Sequence, residues 1–175
     1  MLTGEHIYLG PLLPQDFNTL MEWADDIEAA HYNETYRPAL WKQQEELWFP
    51  RSHDPSRVLF AVRRTLEPQI IGYVQIWNID PVHHSALLGL RIGSTEDRNR
   101  GYGREALRLT IPYLWNQLHL SRIGLSVFSS NAAALHLYEK AGFVREGQLR
   151  QAVFINGHWL DIILMGLLHP SRELP

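Results

Sequence analysis

The chain has 175 residues, 45% of them apolar, which is long enough to bury one sizeable core and short for two. Its formal charge of −3 gives no basic field to attract nucleic acid, and the lack of cysteine excludes disulfide scaffolds, thiolate zinc sites and cysteine nucleophiles. No apolar stretch is long enough for a membrane span and no signal peptide is visible, so we expect a cytoplasmic single domain over residues 1–175 without nucleic-acid or membrane partners.

The first third of the chain begins with a strand and a helix. Alternating apolar residues predict a strand over residues 6–9, ending at Pro11. Pro14 and Asp16 then predict a helix start, because proline is tolerated in the first turn and an acid suits the positive end. The apolar face of this helix consists of Phe17, Leu20, Met21 and Ala24. Residues 25–55 are acidic and aromatic, and they lack periodicity apart from one helix predicted near residues 42–49.

The rest of the chain alternates strands with helices. Strands are predicted over residues 58–63, 69–79, 86–92, 122–128, 148–155 and 158–167, the last two joined by the hairpin signal Asn156-Gly157. One helix follows Gly103, with Leu107, Ile111, Leu114 and Leu118 on one face and a kink expected at Pro112. Another helix is capped by Asn131 and ends at Gly142. About seven strands with interleaved helices predict one α/β domain, a mixed sheet covered by helices.

A glycine-containing loop between the strand at 86–92 and the next helix is the strongest functional signal. Glycines let successive main-chain N–H groups converge, and the start of a helix adds about half a positive charge. Three arginines, Arg98, Arg100 and Arg104, crowd the same loop in an otherwise mildly acidic chain. The pattern therefore predicts a site for a diphosphate, although each arginine taken alone is also compatible with a solvated surface charge.

Two common diphosphate motifs do not fit this loop. Residues 101–106 match the dinucleotide fingerprint G-x-G-x-x-[G/A], but no acid for the ribose occurs between Glu105 and Glu139. The chain after this loop is also too short for the second half of a doubly wound sheet. A P-loop would need lysine after the last glycine, where Arg104 stands instead.

A third motif fits better, and a second one follows it in the expected order. Arg98-x-x-Gly101-x-Gly103 matches the pyrophosphate loop of the GCN5-related N-acetyltransferases, the GNAT family. Asn131-x-x-Ala134-x-x-x-Tyr138, followed by Gly142-Phe143, resembles that family's downstream signature. The tail around residues 146–161 looks like the branch that contains ribosomal-protein N-terminal acetyltransferases and spermidine acetyltransferase. The resemblance covers roughly residues 58–168 and implies that the chain binds acetyl-CoA as its acetyl donor.

The resemblance also implies a fold and a set of cofactor contacts. The mostly antiparallel, twisted sheet should splay at the fourth and fifth strands, near residues 88–92. Residues 57–168 would form the acetyl-CoA-binding core, and residues 1–56 would supply acceptor-side elements. The implied cofactor-binding residues are Leu90, Arg91, Ile92, Arg98, Asn99, Arg100, Gly101, Tyr102, Gly103, Arg104, Asn131, Ala134, Tyr138 and Lys140.

Catalysis needs an acid for the departing thiolate and a base for the amine. The resemblance implies that Tyr138 is the acid, since a phenol with a pKa of about 10 can supply the proton, whereas packing alone would make it an ordinary core aromatic. Many relatives place a glutamate base at what looks like Leu87, and leucine cannot accept a proton. Glu34 is the candidate replacement, with Asp25, His83 and His84 as alternatives, and no metal site is expected.

The acceptor is the least determined part of the prediction. Acidic residues mixed with aromatics in residues 25–49 suit a cationic amine, and a solvated acidic face explains them equally well. We expect direct transfer in a ternary complex to a protein N-terminal amine, with a polyamine such as spermidine as the alternative. A non-catalytic acetyl-CoA sensor is a third reading. Apolar residues in the last strands are candidates for a homodimer interface.

Overall fold

A computed structural model describes residues 1–26, 38, 40–50 and 54–171. Its strands are β1 (Leu2–Thr3), β2 (Ile7–Gly10), β3 (Val58–Arg64), β4 (Ile70–Asp80), β5 (Ser85–Ile92), β6 (Arg122–Phe128), β7 (Val144–Ile155) and β8 (His158–Leu168). Its α-helices are α1 (Phe17–Ala24), α2 (Trp41–Trp48), α3 (Tyr102–Asn116) and α4 (Ala132–Lys140). No helix in these ranges has the length and apolar character needed to cross a bilayer.

The eight strands form one sheet in the order β1-β2-β3-β4-β5-β6-β8-β7. Neighbouring strands are antiparallel except β5 and β6, which are parallel. This confirms the predicted mixed, mostly antiparallel α/β sheet with helices beside it. The prediction of about seven strands missed the two-residue strand β1. It also began β7 four residues too late, because its first residues are exposed and interrupted by a bulge between Arg145 and Gly147.

The pairing of β5 with β6 is short, and this opens the sheet. The two strands pair only from Ser85 to Leu87, opposite Arg122 to Gly124, whereas β4 stays paired with β5 as far as Ile92. The β6 side of residues 88–92 is therefore free of strand pairing. This is the predicted splay of the fourth and fifth strands, counted without β1.

Two apolar clusters cover the two faces of the sheet. Adjacent residues of a strand point to opposite faces, and Ala61 and Val62 of β3 belong to different clusters. On one face α3 and α4 pack over the sheet; the buried residues of this larger cluster include Val74, Ile76, Leu88, Leu107, Leu114, Ile123, Leu135, Tyr138 and Met165. On the other face α1 and α2 form a smaller cluster around Phe17, Leu20, Trp48, Ala61 and Ile70.

The helix α3 runs continuously through Pro112 to Asn116. We expected a kink there, because proline removes a main-chain donor from the helix interior. Only the residues on one side of α3 are buried, among them Leu107, Thr110 and Leu114.

Candidate active site

The predicted diphosphate loop, residues 93–101, consists of a short 3-10 turn and then two residues with left-handed backbone conformation. A 3-10 turn covers Thr95–Asp97, and the Ser94 hydroxyl accepts the Glu96 N–H at 3.2 Å. Asp97 is buried and accepts a hydrogen bond from Arg64 of β3 at 2.5 Å, which ties the loop to the sheet. Asn99 and Gly101 then adopt φ values of 61° and 86°, and α3 starts at the next residue. Glycine suits this last position because it carries no Cβ to oppose a positive φ.

Among the described residues, no acceptor is hydrogen-bonded to the main-chain N–H groups of residues 99–104. The Arg98 N–H donates to Thr95 at 3.3 Å, and the next main-chain donor along the described chain is Glu105, which bonds Gly101 at 3.0 Å. The first turn of any helix leaves such N–H groups unpaired, and here the loop before it does the same. Together with the positive end of α3, these donors suit an anionic group.

The three arginines of the loop have different roles. Arg98 donates to the carbonyls of Ile92 at 3.3 Å and Gly93 at 2.7 Å, so its side chain fastens the loop to the end of β5. Arg100 and Arg104 are exposed, and within the described residues neither has a hydrogen bond or ion pair. Arg100 and Arg104 can therefore direct their whole guanidinium groups to a diphosphate, whereas Arg98 uses its Nε and Nη2 atoms to hold the main chain.

Gly103 lets the first turn of α3 approach its neighbours closely. A Cβ atom at this position would lie 3.3 Å from Leu137 of α4 and 3.5 Å from Leu90 of β5. The glycine therefore brings together the helix with the free N–H groups, the splayed strand and the helix that carries Tyr138. Tyr102 beside it is partly buried and packs against the larger cluster.

Tyr138 lies directly against the splayed part of β5. Its side chain is only 6% exposed, and its phenol lies beside the main chain of Leu90. Burial raises the pKa of Tyr138 to about 12, while the main chain of Leu90 acts in the opposite direction. The ring also packs edge-on against Phe143, with centroids 5.5 Å apart. The phenol therefore stays protonated at neutral pH. It lies beside Leu90, one of the cofactor contacts that the family resemblance implies.

The other predicted contacts of α4 lie at its two ends. Asn131 caps the helix, accepting the Ala134 N–H at 3.1 Å through its side chain. Both residues are partly buried beside the C-terminal end of β6. Lys140 is exposed in the last turn of α4, and no contact within the described residues joins it to the diphosphate loop.

On the face of the sheet where α1 and α2 pack, which we predicted to be the acceptor side, the described residues of β4 and β5 near the splay form a floor that includes no carboxylate. The side chains of β4 and β5 on this face belong to Tyr73, Gln75, Trp77, Leu87, Gly89 and Arg91. Glu34, the predicted base, lies outside the described residues, and Asp25 is exposed just after α1. His83 and His84 stand in the turn before β5, where His84 Nδ1 lies 3.1 Å from the His119 carbonyl. Within the described part of the chain, no group of three metal-ligating side chains is present.

Arg91 makes a contact that no sequence motif indicated. Its main chain belongs to the splayed strand, but its guanidinium donates to the carbonyl of Trp23 at 2.5 Å. Trp23 is the second-last residue of α1, on the acceptor side. Such a contact between residues 68 positions apart has no signature in the local sequence.

Proteins that are similar to this chain are N-acetyltransferases, and one of them has been solved with CoA bound. The chain is 35% identical over 124 residues to spermidine N(1)-acetyltransferase of Vibrio cholerae, covering 71% of this chain and 70% of that one. A solved structure of the Vibrio cholerae spermidine N-acetyltransferase with CoA and spermine superposes with a TM-score of 0.85 at 29% identity, covering 93% of this chain and 95% of that one. A second structure of that enzyme, described as dodecameric, superposes with a TM-score of 0.78 at 28% identity, covering 93% and 94%.

A more distant relative acts on a protein. The chain is 30% identical over 106 residues to the [ribosomal protein uS5]-alanine N-acetyltransferase of Escherichia coli, covering 60% of this chain and 54% of that one. The family model of the acetyltransferase (GNAT) domain matches residues 6–144, well over half of the chain. This match agrees with the free N–H groups of the loop, the splayed β5 and the buried Tyr138 described above. The chain belongs to the GNAT acetyltransferase family, and it is an acetyl-CoA-dependent N-acetyltransferase.

Proposed function

We propose that this enzyme acetylates a primary amine of a polyamine of the spermidine type, by direct transfer in a ternary complex. The observation that carries the transfer chemistry is the position of the buried Tyr138 phenol beside Leu90 of the splayed strand. The similarity to spermidine acetyltransferases over most of the chain supports the polyamine. This reverses the order that the sequence favoured, in which a protein N-terminal amine came first.

The residues of the site divide the work. The free N–H groups of residues 99–104, with Arg100 and Arg104, would hold the diphosphate of acetyl-CoA. The stretch of β5 that contains Leu90, Arg91 and Ile92, which has no strand partner on its β6 side, would pair with the pantetheine arm like an added strand. Asn131 and Ala134 would border that arm, with Lys140 an additional contact. Tyr138 would give its proton to the departing thiolate, while residues 1–56 would present the amine.

The base for this reaction must come from outside the sheet floor. An alkyl amine with a pKa near 10 is mostly protonated at neutral pH and must lose a proton before it attacks. Since the described floor has Leu87 and Gln75 but no carboxylate, the acidic segment after α1 is the source we propose. Within that segment Glu34 remains our candidate base.

A protein N-terminal amine is the second candidate acceptor. Its pKa of about 8 leaves far more neutral amine at pH 7, so it depends less on a strong base. The similarity to the uS5-alanine N-acetyltransferase and the carboxylate-free floor favour it. The strength of the base that the enzyme needs therefore depends on which amine is the acceptor.

A panel of acceptors assayed for thiol release tests the proposal. The enzyme is given acetyl-CoA with spermidine, spermine or a peptide that begins with a free alanine, and coenzyme A is titrated as it forms. We expect the highest kcat/KM with a polyamine and intersecting lines when both substrates are varied. Turnover of the peptide but of neither polyamine would reverse the order, and parallel lines would contradict direct transfer.

We also propose that the chain associates with copies of itself through β7. This strand lies at the edge of the sheet, and nearly all of its residues are exposed, including Val144 and Leu149. An exposed edge strand with apolar side chains tends to pair with another chain. The dodecamer described for the similar Vibrio cholerae enzyme supports association, and a cytoplasmic location remains a prediction from the sequence.

A further inference from the structure

The C-terminal end of α1 is fastened to the cofactor strand by Arg91. The last carbonyls of a helix lack partners within the helix, and a cation near that end stabilises them. In α1 the Trp23 carbonyl accepts the Arg91 guanidinium at 2.5 Å and also lies 3.4 Å from the Asp26 N–H. The acidic segment that we assign to the acceptor starts directly after this point.

A second contact joins the same two places through Gly93. The Trp23 indole lies so close to Gly93 that a Cβ atom there would come within 2.0 Å of the ring. Gly93 is the first residue after β5, and its N–H donates to Ile71 of β4 at 3.0 Å. The end of α1 is thus held by the carbonyl and by the ring of one residue.

The diphosphate loop is hydrogen-bonded to the same stretch of main chain, at Ile92 and Gly93. Arg98 donates to the carbonyls of Ile92 and Gly93, and Asp97 beside it is bonded to Arg64. Residues 91–93 therefore contact the acceptor-side helix on one side and the cofactor loop on the other. A ligand that orders the loop and the free edge of β5 acts on the residues that hold Trp23.

The hydrogen bond to Trp23 does not satisfy all the donors of the Arg91 guanidinium. Its Nε atom is buried and has no hydrogen-bond partner among the described residues. A buried unpaired donor lowers the stability of a fold, so stability alone does not explain an arginine here. An apolar side chain of similar length would pack against Trp23 and Tyr73 without that cost.

From these contacts we infer that Arg91 is a positioning residue that couples acetyl-CoA binding to the C-terminal end of α1. Binding at the loop and at β5 stiffens residues 91–93, and Arg91 transmits this to the end of α1. Residues 22–26 are then held in one arrangement when the cofactor is bound. The kinetic consequence rests on the proposed acetyl transfer, but the coupling itself needs no acceptor.

Hydrogen exchange measures the coupling without an acceptor. In the unmodified enzyme we expect coenzyme A to slow exchange of the amides in residues 22–26 by about fivefold or more, a typical size for coupled sites. In Arg91→Met this slowing should disappear while coenzyme A still binds, because the Arg91 guanidinium is bonded to α1 and not to the diphosphate loop. Arg91→Lys, which keeps a donor, should restore part of it.

Arg57→Met is the matched control. Arg57 also donates to a carbonyl in the last turn of a helix, that of Leu47 in α2 at 3.1 Å, but it does not touch β5. It should leave the effect of coenzyme A on residues 22–26 unchanged. Faster exchange in Arg91→Met with the same ratio between free and bound enzyme would mean a purely structural cap, and it would overturn the inference.

Kinetics with spermidine and with the alanine peptide provide the second readout. For whichever substrate the enzyme uses, Arg91→Met should raise the acceptor KM about tenfold and change the acetyl-CoA KM less than threefold. A loss confined to kcat would contradict a positioning role. If neither acceptor is turned over, the proposed function fails while the exchange experiment still decides the coupling.

Discussion

Tyr138 joins three properties at one atom. Its phenol is buried, it lies beside the strand edge at Leu90, and its pKa is raised to about 12 by burial. A group with that pKa holds its proton through the whole physiological range, so it is available as an acid whenever a thiolate forms nearby. The same burial makes Tyr138 part of the core between Phe143 and β5, and packing and chemistry therefore coexist in this residue.

Replacing Tyr138 with phenylalanine separates these two roles. Tyr138→Phe keeps the ring and its packing but removes the proton, so kcat should fall by more than about tenfold. The dissociation constant of coenzyme A, measured by calorimetry, should change less than twofold. Tyr113→Phe is a suitable control, since Tyr113 packs its ring against Phe60 of β3 at 5.2 Å. Unchanged kcat in Tyr138→Phe would remove this residue from the mechanism.

Glu105 ties the start of α3 to the first hairpin. Its buried carboxylate accepts the N–H groups of Glu5 at 2.5 Å and His6 at 3.1 Å, and His6 Nδ1 lies 3.3 Å away. Burial acts to raise the pKa of Glu105, but the hydrogen bonds from His6 and Glu5 outweigh it. The net result is a pKa below the ordinary value of 4.5.

A lowered folded-state pKa makes the Glu105 contribution dependent on pH. Its stabilisation is fully present above the unfolded pKa of 4.5 and is lost as the pH falls through the lower folded value. Glu105→Gln should therefore reduce the free energy of unfolding by about 1 kcal/mol or more at pH 7, and this difference should shrink below pH 4.5. Urea titrations at both pH values test this. Glu96→Gln, at an exposed site in the loop, is the control. If the free energy of unfolding depended on pH in the same way in both variants, the stabilising role of the Glu105 carboxylate would be refuted.

At the scale of elements, the strand–loop–helix unit from β5 to α3 is the anion site that we propose. Its N–H groups act in any sequence that keeps the backbone, so side-chain charge adds only part of the affinity. Arg100→Gln and Arg104→Gln should each raise the Kd of acetyl-CoA by about three- to tenfold at low salt. The effect should fade near 1 M salt, where charges are screened within about 3 Å.

Arg108→Gln is the control for this pair. Arg108 belongs to the same helix and is exposed, but it faces Glu105 at 3.6 Å instead of the loop. Calorimetric titration of the three variants should therefore show weaker binding in two of them. Equal loss in all three would indicate a general charge effect and would contradict a local phosphate site.

The turn before α1 depends on a buried ion pair with β3. Arg63 and Asp16 are 2% and 3% exposed and bonded to each other, and Arg63 also donates to the carbonyls of Pro68 at 2.8 Å and Pro11 at 3.1 Å. Asp16→Ala leaves a buried cation without its counterion, so the free energy of unfolding should fall by about 3 to 5 kcal/mol. Glu67→Gln, in the exposed pair with Arg64, should cost less than about 1 kcal/mol. Urea denaturation compares them, and similar losses would show that the burial of the Asp16 pair has no special weight.

At the scale of the whole molecule, β7 is the open edge of the sheet. If it mediates association, Val144→Lys with Leu149→Lys should lower the molar mass measured by light scattering at equal protein concentration. Leu66→Lys is the control, because Leu66 is 94% exposed but isolated on a turn. An unchanged mass in the β7 variant would place the interface elsewhere.

The sequence alone was enough for features that depend on neighbouring residues. Strand alternation, the cap at Asn131, the glycines at 101 and 103 and the turn at Asn156-Gly157 act within a few residues, so their patterns predicted the elements and the diphosphate loop. The two spaced motifs predicted the family for the same reason. Acceptor choice was less accessible, because it depends on residues 25–49, which have no periodic pattern.

Only the tertiary structure decided which of the loop arginines have their whole guanidinium group available to bind an anion. Arg98 lies in the motif beside Arg100, yet its guanidinium is bonded to Ile92 and Gly93, because the loop folds back on the strand before it. The reach of Arg91 to Trp23 and the burial of Tyr138 against Leu90 likewise join residues far apart in the chain. Periodicity and spacing report the local backbone, whereas these contacts arise when separate elements pack, and packing is a property of the whole sheet and its helices.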